Sequence, residues 1–181
     1  MTGPRRLPGD PPADEMVRRM IRVDHAGEYG ASRIYRGQLA VLGRSQAAPL
    51  IRRMEEQEQR HLAAFDRLVV ERRVRPTALS PLWHLAGWAL GAASAALGER
   101  AAMACTAAVE EVIDAHYADQ IETLGEAEPE LKQSLEEFRR NEIEHRETAL
   151  AEGAEEAPAY ALMSAAIKAG SRLAIWLSTR V

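Results

Sequence analysis

The chain has 181 residues, enough for one domain with a continuous core. Its 23 Lys+Arg against 27 Asp+Glu leave a net charge of −4, with no basic excess to suggest nucleic acid, and 46% apolar with 28% charged residues is a globular composition. The single cysteine, Cys105, excludes an internal disulfide, a cysteine-based zinc site and an iron–sulfur cluster.

Residues 1–12 carry prolines at 4, 8, 11 and 12 and no apolar run, and read as a flexible tail that is neither a signal peptide nor a transit sequence. Residues 13–181 read as a single all-α domain, since no long stretch alternates apolar and polar residues and aromatics are only 5%. Helices are expected at about 14–43, ended near Gly43, and about 46–74, ended before Pro76. A third stretch at about 81–97 leads to a helix at about 99–125, punctuated by Gly98 and Gly125. The next runs from about 129 to 152, with Pro129 in its first turn and Gly153 at its end, and the last covers about 157–178. Four long rods joined by short loops describe a helical bundle.

Two segments are unusually apolar. Residues 76–98 hold no Asp, Glu, Lys or Arg, but Pro76, Pro81, His84, Gly87, Gly91 and the many Ala and Ser fit a helix lying on or dipping into a membrane better than one crossing it. A buried core helix is the alternative. The final segment spaces Lys168, Arg172 and Arg180 along an apolar helix, which suits an anionic membrane surface or a helix laid on the bundle with solvated cations.

The chemistry lies in the register of six side chains. Glu58 and His61 are spaced i, i+3, as are Glu142 and His145, so each pair shares a helical face. Both pairs interrupt an apolar stripe: Ile51, Met54, Glu58, His61, Phe65, Leu68 in one helix, and Leu131, Leu135, Phe138, Glu142, His145, Ala149 in another. Glu28 stands in the same way among Ile21, Asp24, Ala31, Tyr35, Leu39 and Leu42, and Glu110 among Met103, Thr106, Ile113, Tyr117 and Leu124. Glu110 is preferred to Glu111, which is rotated about 100° off the stripe. The order lone Glu, then Glu–His doublet, occurs twice with an offset of 82 to 84 residues, the mark of a duplicated helical hairpin.

A buried carboxylate needs a partner, and no Lys or Arg lies on these stripes. Four glutamates and two histidines therefore read as a two-metal site of the ferritin-like type, with hard oxygen and imidazole donors suited to iron or manganese. Asp24, His25, His116 and Tyr117 lie one or two turns from these positions and are candidates to orient them, and Tyr29 and Tyr35 are further candidate hydroxyl donors. Cys105 reads as a small buried apolar residue and the charge run at 71–75 as a solvated helix end. Such a centre can store iron, handle peroxide or activate dioxygen. The two apolar segments speak against a hollow storage assembly and for an oxygenase acting on a greasy substrate, with a non-catalytic iron-binding or peroxide-handling protein as the alternative.

The stretches RVDHAGEYGASRIYRGQ, EEQEQRHL, MACTAAVEEVIDAHYADQI, FRRNEIEHRETAL and APAYALMSAAIKAGSRLAIWLSTRV resemble the demethoxyubiquinone monooxygenase family of ubiquinone biosynthesis, across about residues 15–181. The resemblance places the family's iron ligands on Glu28, Glu58, His61, Glu110, Glu142 and His145. It implies a di-iron monooxygenase that hydroxylates a polyprenylated methoxy-methyl-benzoquinol ring, with dioxygen as co-substrate and NADH as electron donor. No Gly-rich motif follows a strand, so any NADH contact is not a Rossmann site. The resemblance further implies a bacterial enzyme peripheral to the cytoplasmic face of the cell membrane, with other ubiquinone-biosynthesis proteins as partners.

Overall fold

A computed structural model describes residues 12–181, and the first eleven residues of the expected tail lie outside the described residues. The elements are α1 (Ala13–Leu42), α2 (Ala48–Glu71), α3 (Ser80–Ala96), α4 (Glu99–Leu124), α5 (Pro129–Ala151), a 3-10 turn (Ala154–Glu156) and α6 (Tyr160–Ser178), with no strand among the described residues. The architecture is a ferritin-like bundle of α1, α2, α4 and α5, with α3 and α6 laid outside it.

The helix ends follow local chemistry. Pro49 sits in the first turn of α2, which begins at Ala48 rather than at 46. Its end comes at Glu71 rather than 74, because Arg73 takes a left-handed φ of 50° and turns the chain away. The last helix begins at Tyr160, not 157: Ala157 is held extended before Pro158, and Ala159 is left-handed at φ 52°. Gly98, at φ 108°, makes the turn between α3 and α4 that a side chain would resist.

Two apolar plugs close the bundle above and below a polar middle layer. One gathers Ile21, Phe65, Tyr117, Leu124, Leu135 and Phe138, and the other Tyr35, Ile51, Met54, Met103 and Ala149. The first half of helix α4 is covered on all sides, with every residue from Ala101 to Glu110 buried. Small residues make that possible, since α1, α3, α5 and α6 all press on it. Gln38, rather than the expected Leu39, is fully buried on α1. Its amide donates to the Ala102 carbonyl and to Thr106 Oγ1, sewing α1 to α4.

Helix α3 lies along α1 at backbone distance. A Cβ on Gly91 would overlap the Ile34 carbonyl oxygen, one on Gly37 the Trp88 carbonyl oxygen, and one on Gly87 would come within 2.8 Å of the Gly30 carbonyl oxygen. Helix α6 rests on α4 through Ile167, which meets Cys105, Ala108 and Val109, and Lys168 pairs with Glu111 at 2.7 Å. Trp83 donates to Ser178 Oγ at 2.9 Å, tying the start of α3 to the end of α6. Between α1, α3, α4 and α6 lies an apolar cavity of about 390 Å³.

The run 76–98 thus forms a 17-residue helix on the bundle, half covered, with Leu82, Leu85 and Trp88 facing out. No helix among the described residues is long and apolar enough to cross a membrane.

Candidate metal centre

Each lone glutamate comes from the first helix of a hairpin (α1 or α4), and each Glu–His doublet from the second (α2 or α5). All six side chains meet in the middle layer, each no more than 2% exposed. They form two overlapping groups whose candidate ligand atoms lie within 4.8 Å of one another: Glu28, Glu58, His61 and Glu142, and Glu58, Glu110, Glu142 and His145. Glu58 and Glu142 belong to both groups. His61 Nδ1 stands 3.1 Å from Glu142 and 3.4 Å from Glu28. His145 Nδ1 stands 3.2 Å from Glu58, 3.3 Å from Glu142 and 4.0 Å from Glu110.

The hydrogen-bond inventory is incomplete in the way a cation would complete it. Both oxygens of Glu58 and of Glu142, one oxygen each of Glu28 and Glu110, and Nδ1 of both histidines are buried with no hydrogen-bond partner. No arginine or lysine reaches these carboxylates among the described residues. Stranded polar atoms in such number are costly unless ions sit among them, so the donor set fits two divalent cations bound by carboxylate and imidazole. Glu111 stays at the surface with Lys168 and Arg146, leaving Glu110 as the inward residue.

Without cations, the layer holds itself together with protons. Burial, then the charges of Glu142 and Glu28, pushes the Glu58 carboxyl well above its ordinary value, and burial with Glu142 and Glu58 does the same to Glu110. Burial alone would depress His61, but the hydrogen bonds that a protonated Nδ1 would donate to Glu142 and Glu28 outweigh it and push the imidazole up to about 12. Burial would likewise raise Glu142, yet the hydrogen bonds it would accept from protonated His145 and His61 pull it down to about 2.

Divalent ions must therefore displace protons from Glu58, Glu110 and His61, so loading should release protons and metal affinity should climb with pH. Titration calorimetry in buffers of different ionisation enthalpy measures this; a heat that does not vary with buffer would contradict it. Stability of the metal-free protein should fall as pH rises above 4.5 through Glu58 and Glu110, and from 6.5 toward about 12 through His61, because those groups bind protons more tightly folded than unfolded. Glu142 has the opposite sign, adding stability above 4.5 that is lost as the pH drops toward about 2.

Around the six residues, the two hairpins hold each other's groups. His61 Nε2 donates to Asn141 Oδ1 at 3.0 Å, and His145 Nε2 to Gln57 Oε1 at 2.9 Å. With Nε2 held by these amides, a cation that displaces the Nδ1 proton would meet the Nδ1 lone pair. Tyr35 on α1 donates to Glu110 on α4 at 2.7 Å, and Tyr117 on α4 donates to Glu28 on α1. Burial and the glutamate charges push both phenols well above their ordinary value, keeping them donors.

Of the candidate orienting residues, only Tyr117 and Tyr35 bond to the six. His116 and Gln120 instead surround Asp24, at 3.1 and 2.8 Å, one turn before Glu28. His25, rotated off the buried stripe, pairs outward with Asp66 at 3.0 Å, and Tyr29 bonds to His84 on α3 at 2.8 Å. Gln57 and Asn141 escaped the sequence reading. Their signal is an amide directly before the glutamate of each doublet, Gln57–Glu58 and Asn141–Glu142.

The cavity abuts this layer. Its inner wall includes Gly27 and Ala31, flanking Glu28, with Val109 and Ile113, flanking Glu110, and its outer walls are α3 and α6.

Comparison with known proteins gives a consistent result. A family model described as "Ubiquinone biosynthesis protein COQ7" matches residues 15–178. A Rhodospirillum rubrum protein named 3-demethoxyubiquinol 3-hydroxylase is 58% identical over 181 residues, covering 99% of this chain and 85% of that protein. A human protein named NADPH-dependent 3-demethoxyubiquinone 3-hydroxylase, mitochondrial, is 55% identical over 169 residues, covering 91% of this chain and 78% of its own length. A Saccharomyces cerevisiae protein named 5-demethoxyubiquinone hydroxylase, mitochondrial, is 38% identical over 180 residues, 90% of this chain and 77% of that protein.

Proposed function

Because the chain belongs to the COQ7 family of ubiquinone-biosynthesis proteins, we propose that it is a monooxygenase that hydroxylates the ring of a demethoxyubiquinol, using iron bound by its buried carboxylates and histidines. The observation that carries the reading is the adjacency of an ion-ready polar layer and an apolar cavity, which share the walls formed by α1 and α4. Glu28 and His61 would hold one iron, Glu110 and His145 the other, and Glu58 and Glu142 would serve both. Two iron ions bound there supply the reduction and activation of dioxygen. The chain excludes water with its two apolar plugs and keeps each imidazole aimed through Gln57 or Asn141. It holds the quinol and the start of its prenyl chain against an almost wholly apolar wall. The reducing equivalents come from a nicotinamide nucleotide, NADH or, as the human relative's name says of that protein, NADPH.

The test is direct. Iron-loaded protein given a demethoxyubiquinol in detergent, dioxygen and reductant should yield the ring-hydroxylated quinol, seen by mass spectrometry as one added oxygen. Two bound irons with no hydroxylated product would overturn the reading.

The cavity makes its own prediction. Gly170 faces it from α6, and a Cβ there meets nothing within 4 Å. Gly170→Leu should fill the cavity while leaving helix and metal layer intact, and helix propensity itself would favour it by up to about 1 kcal/mol. Quinol turnover should fall at least about tenfold, at the 1.4 kcal/mol per decade of a lost substrate fit, with iron content unchanged. Unaltered turnover would place the substrate elsewhere.

We further propose that the protein works peripherally on the cytoplasmic face of a bacterial cell membrane. Leu82, Leu85 and Trp88 on α3 and Leu162, Leu173 and Trp176 on α6 are exposed apolar residues on the two helices that wall the cavity, and Arg172 and Arg180 accompany them. Flotation with anionic vesicles should carry the wild-type protein and leave Trp88→Glu/Trp176→Glu in solution; equal flotation of both would refute this.

A further inference from the structure

The eight carboxylate oxygens of the middle layer are not equivalent. Glu58 and Glu142 have both oxygens free of hydrogen bonds. Glu28 and Glu110 each have one oxygen free and the other engaged, Glu28 Oε1 by the Tyr117 hydroxyl and Glu110 Oε1 by the Tyr35 hydroxyl. Six oxygens and two Nδ1 atoms therefore remain for cations. Shared between the two groups, they offer each ion four protein atoms: one from an unshared glutamate, one from a histidine and one from each of the two shared glutamates. Iron-class ions with carboxylate and imidazole donors accept more ligands than that, so positions stay open on each.

Resting on the two-iron reading above, we propose that Tyr35 and Tyr117 restrict Glu110 and Glu28 to single-oxygen coordination and so keep a position on each ion available to an incoming ligand. A carboxylate with both oxygens free can close on one ion through both of them. A phenol that donates to one oxygen competes with that second bond, and the competition is substantial because hydrogen bonds to charged groups are the strong ones. Both phenols are about 1% exposed, so no water stands ready to take their place. The device is built twice. Tyr35 follows Glu28 by seven residues as Tyr117 follows Glu110, and each hydroxyl crosses to the glutamate of the other hairpin. A pair of tyrosines serving only as apolar filling would need neither the hydroxyls nor this exchange.

Tyr35→Phe and Tyr117→Phe keep the rings and remove only the hydroxyls. Each single variant is loaded with iron(II) and read by iron content, by near-infrared magnetic circular dichroism of the iron(II) form, and by titration with azide. The expected result is two irons per chain, ligand-field bands shifted toward higher coordination number, and azide binding at least about tenfold weaker than in the wild type, the scale of one charge-assisted hydrogen bond. Unchanged bands and azide affinity in both variants would overturn the assignment. So would loss of iron from both, since the hydroxyls would then be holding the layer together rather than setting its coordination. The two variants are read independently, so misfolding of one leaves the other decisive. Wild-type protein that takes up no iron at all would instead refute the two-iron reading on which the proposal stands.

Discussion

Replacing Glu58 or Glu142 with alanine should remove both metal ions together and abolish hydroxylation, while alanine at Glu28 or Glu110 should remove one ion. The difference follows from membership: Glu58 and Glu142 are in both groups of converging ligands, and Glu28 and Glu110 in one each. The irons supply the reduction and activation of dioxygen itself, so losing both should cost at least about three orders of magnitude in rate. Iron analysis by mass spectrometry beside product formation separates the two classes; a Glu58→Ala protein with one firmly held iron would show that the carboxylate is not shared. Stability should move the other way. Burial holds Glu58 protonated well above the ordinary carboxyl range in the metal-free protein, so ionising it there is penalised. Glu58→Gln keeps the shape and removes that liability, and its melting temperature in chelator should exceed that of the wild type in chelator. The site residues are thus expected to weaken the empty fold and strengthen the loaded one.

Gly91→Val should be the most damaging change away from the metal layer. Any Cβ at that position overlaps the backbone carbonyl of Ile34, and backbone cannot step aside as a flexible side-chain tip does. Helix α3 must lift from α1, at a cost of about 3 kcal/mol or more, the upper range of overpacking. For a chain of this size that is a fall of roughly 6–12 °C in the melting temperature. The control is Gly30→Ala on the facing helix, where a Cβ meets nothing within 4 Å and stability should hold or rise. Since α3 also walls the cavity through Trp83, Gly87 and Leu90, Gly91→Val should depress quinol turnover even at temperatures where the bundle is intact. Equal melting of the wild type and Gly91→Val would mean that α3 does not bear on α1 as closely as described.

Register made the convergence of the six side chains readable from the chain. A glutamate on an apolar stripe cannot be left alone in a core, and four such positions repeated at a near-constant offset leave little besides a shared pair of cations to neutralise them. The residues that position the ligands were harder to read. Tyr35 and Tyr117 lie on the same stripes and were within reach, but His25 and Tyr29 sit one residue to the side of Asp24 and Glu28, where about 100° of rotation sends them to other helices. Gln57 and Asn141 act across the seam between α2 and α5, and such pairing depends on which helices become neighbours. The helix ends expected at about 46, 74 and 157 fall two or three residues away, set by Pro49, by a left-handed Arg73 and by the Ala157–Pro158–Ala159 turn. The cavity was not legible at all. Gly37 and Gly91 are packed solid while Gly30 and Gly170 border open space, and nothing in their spacing tells the two kinds apart.

The repeat that builds the ligand layer does not extend to what covers it. Glu28's helix is overlaid by α3, the connection between the hairpins, whereas Glu110's helix is overlaid by α6, the final segment. One overlay is fastened backbone to backbone through glycines and the other leans on Ile167 and an ion pair, so the two are built differently. A quinol bound as proposed would meet a near-twofold interior between unlike outer walls. Such a quinol would therefore have the edge it turns inward selected by these unequal overlays rather than by the twinned groups beneath them.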